Sequence, residues 1–243
     1  MSRLQRLAVG LFRLRPGPIS LIMNKAVIFG ATDFSELILA HLQRDSRAPE
    51  IAAFAVGRDF LGAREQFCGL PLIAAENLPD EFPPEDCGVY VTLGYRGMNA
   101  GRRLVFERLR AAGYRLMSYV HPSARLEGAT IGEGIIALAN VTVDDFCVLG
   151  DGNIFQIGVL AAHHTVMGDF NFFAPGACVT GQVRIGHNCF FGANSTIRNG
   201  LTIGDRSLVG AGAYVDRDTA PDSVVVPPRS VLLEGRGSLE MGL

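Results

Sequence analysis

Apolar residues recur at every sixth position through the second half of the chain. Starting at Ile131, fifteen successive residues at this spacing are apolar, although only 48% of the chain belongs to that class. Chance would give such a run about once in tens of thousands of registers. The series is Ile131, Ala137, Val143, Leu149, Phe155, Ala161, Met167, Phe173, Val179, Ile185, Phe191, Ile197, Ile203, Val209 and Val215. It indicates a hexapeptide repeat.

A longer period of eighteen residues is superimposed on the hexads, because every third hexad begins with an apolar residue and a glycine. One short strand per hexad can bury its first and fifth side chains. Three such strands close a triangular coil, which stacks on the next coil at roughly 4.8 Å. Glycine suits corners that need a positive φ or a close backbone approach. We therefore predict a parallel β-helix of about five to six coils, with Phe155, Phe173 and Phe191 stacked in one inward column.

Residues 25–119 alternate apolar runs with amphipathic segments. The pattern predicts four strands and two helices, at 26–29, 51–56, 88–93 and 114–119, and at 34–43 and 102–112. Alternating strands and helices form a parallel sheet with its ligand edge at the strand carboxyl ends. The first turn, Gly30-Ala31-Thr32-Asp33, lacks the glycine pattern of a dinucleotide site, so no NAD is predicted. Thr32 or Asp33 caps the first helix, whose N-terminus can face a phosphate.

These patterns divide the chain into four parts. We predict a flexible basic extension at 1–22, a Rossmann-like α/β domain at 23–120, a β-helix domain at 121–226 and a tail at 227–243. The extension carries four arginines and no acid, which would also suit a membrane-surface segment or a leader. A start-like Met23-Asn24-Lys25 before the first strand favours an extension outside the fold. His121, in the joint His121-Pro122-Ser123-Ala124, is expected to be structural.

Composition removes several classes of function. The formal net charge is −2 and the pI is about 6.2, which gives no electrostatic footprint for nucleic acid. No apolar run reaches the length of about eighteen residues that a membrane span requires. The five cysteines are odd in number and have no C-x-x-C spacing. They are expected to be reduced core thiols, so we predict a cytoplasmic protein.

The candidate chemistry lies on the outside of the β-helix, because its interior is packed and dry. His163 and His164 occupy the two outward positions of one hexad, where an imidazole can act as a general base near neutral pH. Eighteen residues earlier lies Asp145, which could hold one imidazole nitrogen and fix the tautomer. Eighteen residues later lies Gly181, whose amide could stabilise an oxyanion. Either His164 or Asp145 is predicted to orient His163.

The α/β domain, the H-P-S-A joint and the hexapeptide coils together resemble the bacterial nucleotide-sugar acetyltransferases of the PglD/NeuD group. The resemblance covers nearly the whole chain from Met23. It places the group's catalytic histidine on His163, within Gly158 to Gly168, and its thioester-facing glycine on Gly181. His164 stands where the group has an acid. The resemblance implies a homotrimer of left-handed β-helices that binds acetyl-CoA between neighbouring prisms, without a metal.

The same resemblance implies two further sets of contacts. The donor acetyl-CoA would contact Gly181, Ala193 and Phe172, where Phe172 replaces a second histidine of the group. The α/β domain would bind the nucleotide-sugar through the first turn and the region after the third predicted strand. These substrate-binding residues are Gly30, Ala31, Thr32, Asp33, Tyr95, Asn99 and Arg102, with an N-x-x-R signature formed by the last two. The implied reaction is acetyl transfer to an amino or a hydroxyl group of the sugar.

Two other functions remain open at the level of sequence. A binding or assembly module in surface-polysaccharide synthesis could keep this fold without catalysis, and the missing acid and second histidine are compatible with it. A zinc site of the carbonic-anhydrase type would need three histidines converging across a subunit boundary. His187 is the only other histidine on the predicted coils, and it lies in a different column.

Overall fold

The computed structural model of the chain describes residues 23–230. The predicted extension at 1–22 and the last thirteen residues of the predicted tail, 231–243, lie outside the described residues. The described chain forms one α/β sheet, followed by three long sheets built from strands of two residues. Its two halves therefore follow different rules of local structure.

The first half contains a six-stranded sheet with four helices. The elements are β1 (Lys25–Phe29), α1 (Asp33–Arg44), β2 (Glu50–Val56), α2 (Arg58–Leu61), β3 (Gln66–Phe67), β4 (Leu70–Ala74), α3 (Leu78–Glu81), β5 (Gly88–Val91), α4 (Ala100–Ala111) and β6 (Arg115–Leu116), with a 3₁₀ turn at Ala75–Asn77. The strand order is β3-β4-β2-β1-β5-β6. All neighbours are parallel except the β3–β4 hairpin. Since β1 lies between β2 and β5, the crevice for a ligand opens beside the carboxyl end of β1.

The second half is a triangular prism with three parallel sheets as its faces. Face I contains β7 (Tyr119–Val120), β9 (Ile136–Ala137), β12 (Ile154–Phe155), β15 (Phe172–Phe173), β18 (Phe190–Phe191), β21 (Leu208–Val209) and β23 (Val224–Val225). Face II contains β10 (Thr142–Val143), β13 (Leu160–Ala161), β16 (Cys178–Val179), β19 (Thr196–Ile197) and β22 (Tyr214–Val215). Face III contains β8 (Thr130–Ile131), β11 (Val148–Leu149), β14 (Val166–Met167), β17 (Arg184–Ile185) and β20 (Thr202–Ile203).

The pairing of the prism strands confirms the predicted period. From β8 to β22 each residue pairs with the residue eighteen further on, as Phe155 does with Phe173 and Phe173 with Phe191, whereas the end strands β7 and β23 pair at spacings of seventeen and sixteen. These three side chains are completely buried, and their rings stack at centroid distances of 4.8 and 4.6 Å. Six residues per side and three sides per coil fit the predicted left-handed β-helix.

The corners of the prism show why glycine and asparagine recur there. The fourth residue of each hexad from 131 to 214 has a positive φ, as in His164 (59°), Phe170 (58°) and Gly176 (70°). Glycine also allows close stacking, because a Cβ on Gly168 would lie 2.7 Å from the carbonyl oxygen of Gly186. Asn171 is buried at a corner, and its Nδ2 donates to the carbonyls at both of these glycines at 3.1 Å. The turn chemistry thus supports the stacking of coils.

The α/β sheet and its helices pack on face I. Apolar side chains that point outward from this face are buried in one cluster with residues of α1 and the sheet. Members from the prism are Ile136, Ile154, Phe172 and Ala174, and members from the first half include Ile28, Ile38, Leu42 and Phe54. At one edge of the joint, Arg110 of α4 donates to Glu133 at 2.9 Å and to Asp151 at 2.6 Å. Face I is therefore covered from β7 to β18, whereas Val224 of β23 is exposed, and the corner between faces II and III lies on the opposite side of the prism.

The structure corrects three expectations about local structure. The strand predicted at 114–119 is divided, since β6 belongs to the α/β sheet whereas β7 belongs to face I. The chain changes sheets at Ser118, whose Oγ accepts from the Ile135 N–H at 3.0 Å. The β3–β4 hairpin adds two strands that the apolar pattern does not reveal. Helix α4 begins at Ala100, two residues before the predicted start.

Candidate active site

The histidine pair lies in the turn 162–165, which joins β13 on face II to β14 on face III. The turn is anchored by the neighbouring coils, because the His164 N–H donates to the Asp145 carbonyl and the Gln182 N–H donates to the His163 carbonyl. Thr165, the fifth residue of the hexad, is buried and directs its Oγ to the Thr180 carbonyl at 3.1 Å. The two imidazoles therefore project outward, with His163 exposed and His164 half-buried.

The two imidazoles are hydrogen-bonded to each other. The Nδ1 atoms of His163 and His164 lie 3.1 Å apart, so one ring donates and the other accepts. The rings are nearly perpendicular at 86°, and the His164 ring also packs on Phe146 at a centroid distance of 4.8 Å. When the His163 Nδ1 carries the shared proton, its Nε2 has a free lone pair. That arrangement is the one a general base needs.

Gly181 lies directly beside this imidazole, in the next coil. A Cβ on Gly181 would be 2.8 Å from the Cε1 and 2.9 Å from the Nε2 of His163, so the ring occupies the space of the missing side chain. No acceptor among residues 23–230 takes the Gly181 N–H. The predicted neighbourhood of an imidazole and an unused amide is therefore present.

Asp145 does not make the predicted contact with the base. Its carboxylate lies against Gly128, toward the start of the prism, and within residues 23–230 no hydrogen bond joins it to His163. Of the two orienting residues that the sequence offered, the structure brings His164 to the ring and not Asp145. The reason is that the Asp145 side chain is directed along the prism toward Gly128 and away from His163, a direction that the column spacing alone does not fix.

Beneath the turn, the interior of the prism is filled by buried, mostly apolar side chains. Cys147 is the inward residue one coil below Thr165, and its Sγ lies 3.2 Å from the Ala162 carbonyl. Burial raises the pKa of the Cys147 thiol to about 11, so the thiol stays protonated and inert. The reactive groups at this corner are consequently the outward imidazoles.

The predicted nucleotide-sugar turn follows β1 at the carboxyl edge of the sheet. Gly30 has a φ of 132°, and its N–H donates to the Ala55 carbonyl at 2.9 Å. Thr32 is exposed just before the start of α1. Ala31 is half-buried beside it, and Asp33, the first residue of α1, is exposed. A hydroxyl network lies below the turn, where Ser35 Oγ is 2.8 Å from Thr92 Oγ1 and accepts the Thr32 N–H at 3.2 Å.

Asn99 and Arg102 lie in the joint and are not open to a ligand in this structure. Asn99 is fully buried, and its Nδ2 donates to the Cys189 carbonyl at 3.1 Å. Arg102 is 2% exposed and donates to the Phe170 carbonyl at 3.0 Å and the Asn171 carbonyl at 3.2 Å. Burial lowers the pKa of its guanidinium to about 9. The prediction of direct substrate contact by these two side chains is therefore corrected to a role in the joint.

The remaining predicted contacts also lie near the joint. Phe172 is 6% exposed and packs against Phe190 and Tyr95 on face I, away from the His163 corner of the same chain. Its ring is thus almost completely covered within the chain. Ala193 lies at the corner between faces I and II and packs against the apolar cluster that joins the α/β sheet to face I. Tyr95 alone of this group is largely exposed.

Three residues at these sites escaped the sequence argument. Phe146 packs on His164, and Phe190 completes the aromatic group with Tyr95 and Phe172. The eighteen-residue period could have indicated both, since Phe146 precedes His164 by one coil and Phe190 follows Phe172 by one coil. Ser35 carries no comparable signal, because its partner Thr92 lies 57 residues away.

Within residues 23–230, no group of three or more histidine, cysteine, aspartate or glutamate side chains is placed to hold a metal ion. None of the helices in this range is long and apolar enough to cross a membrane. These two findings describe the same residues as the site geometry above.

Comparison with known proteins places the prism in a defined class. The model of the hexapeptide repeat of succinyl-transferase matches residues 182–217, and the model of the bacterial transferase hexapeptide (six repeats) matches residues 164–199. No curated protein matches the chain. The repeat predicted from the six-residue period is therefore the hexapeptide repeat found in bacterial transferases.

Solved structures extend the likeness to both halves of the chain. The acetyltransferase domain of PglB from Neisseria gonorrhoeae, in complex with acetyl coenzyme A, is 27% identical with a TM-score of 0.70 and covers 82% of this chain and 93% of that one. A variant of perosamine N-acetyltransferase from Caulobacter crescentus, with CoA and GDP-perosamine, is 24% identical with a TM-score of 0.74 and covers 84% and 94%. WeeI from Acinetobacter baumannii is 20% identical with a TM-score of 0.69 and covers 83% and 96%. The resemblance to hexapeptide-repeat sugar acetyltransferases of the PglD/NeuD type is confirmed.

Proposed function

We propose that this protein transfers an acetyl group from acetyl-CoA to an amino or hydroxyl group of a nucleotide-linked sugar. The observation that carries the proposal is the group of His163, His164 and Gly181 at one corner of a prism with the fold of sugar acetyltransferases. The PglB domain contains acetyl coenzyme A, and the Caulobacter enzyme contains CoA and GDP-perosamine. We infer both substrates of the present protein from its similarity to these two structures.

In the proposed reaction, the Nε2 of neutral His163 removes a proton from the acceptor as the acceptor attacks the thioester carbonyl. The Nδ1–H donates to His164 and keeps the ring in the reactive tautomer. The unused N–H of Gly181 donates to the oxyanion of the tetrahedral intermediate. The carbon–sulfur bond then breaks, and the proton passes from His163 to the CoA thiolate. The products are the acetylated sugar and free CoA.

The two halves of one chain do not form this site together. The α/β domain covers face I, whereas His163 lies at the corner between faces II and III, across the width of the prism. An acceptor bound at the carboxyl edge of the α/β sheet therefore cannot reach His163 of its own chain. A neighbouring chain must supply the base, which supports the predicted homotrimer, because rotation about an axis parallel to the prisms brings one chain's corner to the next chain.

The acceptor is proposed to bind at the crevice beside β1. The turn 30–33 offers the start of α1 to a phosphate, and the loop after β5 forms the other wall.

All five cysteines are free, which fits the reducing, cytoplasmic compartment predicted from the sequence. Ala193, at the corner between faces I and II, is still proposed to contact the donor acetyl-CoA.

The test is release of free thiol from acetyl-CoA in the presence of a panel of UDP- and GDP-linked amino and neutral sugars. We expect CoA release that depends on one class of nucleotide-sugar, with one acetyl group added to the sugar by mass spectrometry. The position of that group decides between amine and hydroxyl. Tight binding of a nucleotide-sugar without any thiol release would contradict the proposed transfer and favour the non-catalytic binding module.

A further inference from the structure

Three aromatic rings meet where the carboxyl edge of the α/β sheet adjoins face I. The Tyr95 ring lies 5.0 Å from Phe172 and 4.7 Å from Phe190, centroid to centroid. Phe172 and Phe190, one coil apart, are themselves stacked at 5.7 Å and 11°. Phe172 is buried, but Tyr95 is 52% exposed. We call these three residues the aromatic platform; Tyr95 is its solvent-facing member.

The loop that carries Tyr95 is fixed to the prism at several points. The Asn188 Nδ2 donates to the Met98 carbonyl at 3.0 Å, and the Asn99 Nδ2 donates to the Cys189 carbonyl. The Nη1 of Arg102 donates to the Leu93 carbonyl, at the start of the loop, at 3.3 Å. Its Nη2 donates to the Phe170 carbonyl, at the corner between faces III and I. Met98 and Asn99 both have positive φ, at 49° and 64°, which persists only when the surroundings hold the backbone. Tyr95 is thus presented by a rigid loop.

The platform also lies near the height of the candidate base. Phe172 follows His163 by nine residues, which is half a coil. With about 4.8 Å per coil, the two differ by about 2.4 Å along the prism axis. A cyclic assembly about an axis parallel to the prism keeps every residue at its own height. Phe190 lies one coil further along, and the Tyr95 ring contacts both phenylalanines. In the proposed trimer, Tyr95 of one chain therefore lies within about 2–7 Å, along the axis, of the height of His163 in the other chains.

We propose that Tyr95 determines acceptor specificity by packing its ring against the carbon face of the acceptor's sugar ring. The inference rests on the proposed function, since it assigns a role within the same acceptor site. The C–H groups of a pyranose are attracted to the negative face of an aromatic ring. Contacts with Phe172 and Phe190 hold the Tyr95 ring, and its exposed half is open to a sugar, which would pack against a fixed aromatic surface. This surface also directs the acceptor group toward the base of a neighbouring chain.

The experiment measures binding by calorimetry on the full chain, which separates the inference from catalysis. The variants are Tyr95→Ala, Tyr95→Phe and Leu104→Ala, the last being a control at a half-exposed apolar side chain on α4. The probes are the best nucleotide-sugar of the panel, the matching nucleotide diphosphate without sugar, and CoA. If the panel yields no substrate, GDP-perosamine is the sugar probe.

We expect Tyr95→Ala to weaken nucleotide-sugar binding about five- to tenfold, while its affinities for the free nucleotide and for CoA stay at the wild-type values. Tyr95→Phe and Leu104→Ala should bind the sugar as the wild type does. An unchanged affinity of Tyr95→Ala for the nucleotide-sugar overturns the inference alone. An equal loss for the free nucleotide assigns the ring to the nucleotide, and a loss for CoA assigns it to the donor; both also overturn it. A wild-type protein that binds no nucleotide-sugar overturns the proposed function as well.

Discussion

Two corners of the prism share one backbone turn but differ in how their polar groups are used. At the corner between faces III and I, Asn171 accepts from the Cys189 N–H at 2.8 Å and donates to the carbonyls of Gly168 and Gly186. At the corner between faces II and III, the His163 side chain bonds only to His164 among the described residues, and the Gly181 N–H has no acceptor there. The first corner is saturated, and the second keeps groups available for a substrate.

A repeat protein can therefore place the residues that stabilise it and the residues that react at different corners without changing its fold. Columns of buried asparagines and turn aspartates hold the coils together on the side that carries the α/β domain. For example, Asp169 Oδ1 accepts the Asp151 N–H at 2.8 Å, and Asp205 Oδ1 accepts the His187 N–H at 2.8 Å. At the corner between faces II and III the inward residues include Cys147, Thr165 and Val183, and no asparagine column is present among residues 23–230. Polar side chains at that corner are free to act on a ligand.

One methyl group added at each corner should affect stability at the first and activity at the second. A Cβ on Gly168 meets the backbone carbonyl oxygen of Gly186 at 2.7 Å, which cannot move away. Gly168→Ala should therefore lower the free energy of unfolding by about 1–3 kcal/mol or more. The three atoms nearest to a Cβ on Gly181 all belong to the imidazole of His163, a side chain that can swing outward.

Gly181→Ala should therefore keep nearly wild-type stability but lose on the order of 100-fold in kcat, because the base is displaced. Denaturant unfolding and the thiol-release assay measure the two quantities on the same samples. A Gly181→Ala protein that unfolds like Gly168→Ala, or that keeps full activity, would remove the distinction between the corners.

Asn171→Ala tests the saturated corner directly. The substitution leaves the Cys189 N–H and the Gly186 carbonyl without their partner in a buried site, whereas the Gly168 carbonyl keeps the Asn153 Nδ2 at 2.9 Å. At roughly 1–3 kcal/mol for each buried group left unpaired, we expect a loss of about 3 kcal/mol in unfolding free energy. Ser195→Ala is the matched control, since Ser195 also points inward but its buried Oγ has no partner. That variant should stay within about 0.5 kcal/mol of the wild type; similar losses in both would mean that the asparagine bonds contribute little.

His164→Gln tests whether the second imidazole orients the first. Without the 3.1 Å bond between the two Nδ1 atoms, His163 should populate both tautomers and more rotamers. We expect kcat to fall about tenfold, with the KM for acetyl-CoA unchanged. Steady-state kinetics at saturating acceptor give both parameters. A wild-type kcat would show that His163 does not depend on its neighbour.

The joint between the α/β domain and the prism provides the smallest effect. The His41 ring lies 5.3 Å from His121 and 5.8 Å from Tyr119, and burial, followed by the charges of His121 and Arg44, lowers the pKa of His41. Because the folded pKa lies below the unfolded one, the unfolded chain binds the proton more readily. The contribution of His41 is therefore complete above its ordinary pKa, near 6.5, and is lost as the pH falls through the lowered value.

On acidification from about pH 7.5 to about pH 5, the wild type should lose on the order of a few tenths of a kcal/mol more stability than His41→Gln, since the ring is partly solvated. Denaturant unfolding at the two pH values gives the comparison. The same pH dependence in both proteins would exclude His41 as its source.

The prism could be predicted almost completely, because its six- and eighteen-residue periods place each residue on a face or a corner. The same arithmetic put Gly181 beside His163, and the structure has that contact. It could not choose between Asp145 and His164 as the partner of the base. Both are close to His163 in the column or the chain, and the choice depends on side-chain direction.

The α/β half was less predictable, since its contacts are not periodic. Arg102 belongs to the N-x-x-R pattern on which its predicted substrate contact rested. In the structure it instead donates to the carbonyls of Phe170 and Asn171, 68 and 69 residues away. The change of sheets at Ser118 depends on a bond to Ile135 across the joint. Local propensity contains no information about either contact.

The most direct test of the account compares His163→Asn with His187→Asn. Both substitutions replace a histidine on the prism, but an asparagine side chain in place of His187 would still offer an oxygen to the Asp169 N–H, as the aspartates of neighbouring coils do. With acetyl-CoA and the nucleotide-sugar that the panel selects, we predict that kcat falls about 10²–10⁴-fold in His163→Asn and stays near the wild-type value in His187→Asn, with CoA affinity unchanged in both. A His163→Asn protein that keeps its kcat within a few-fold of the wild type would contradict the assignment of the base, and with it the functional difference between the two corners.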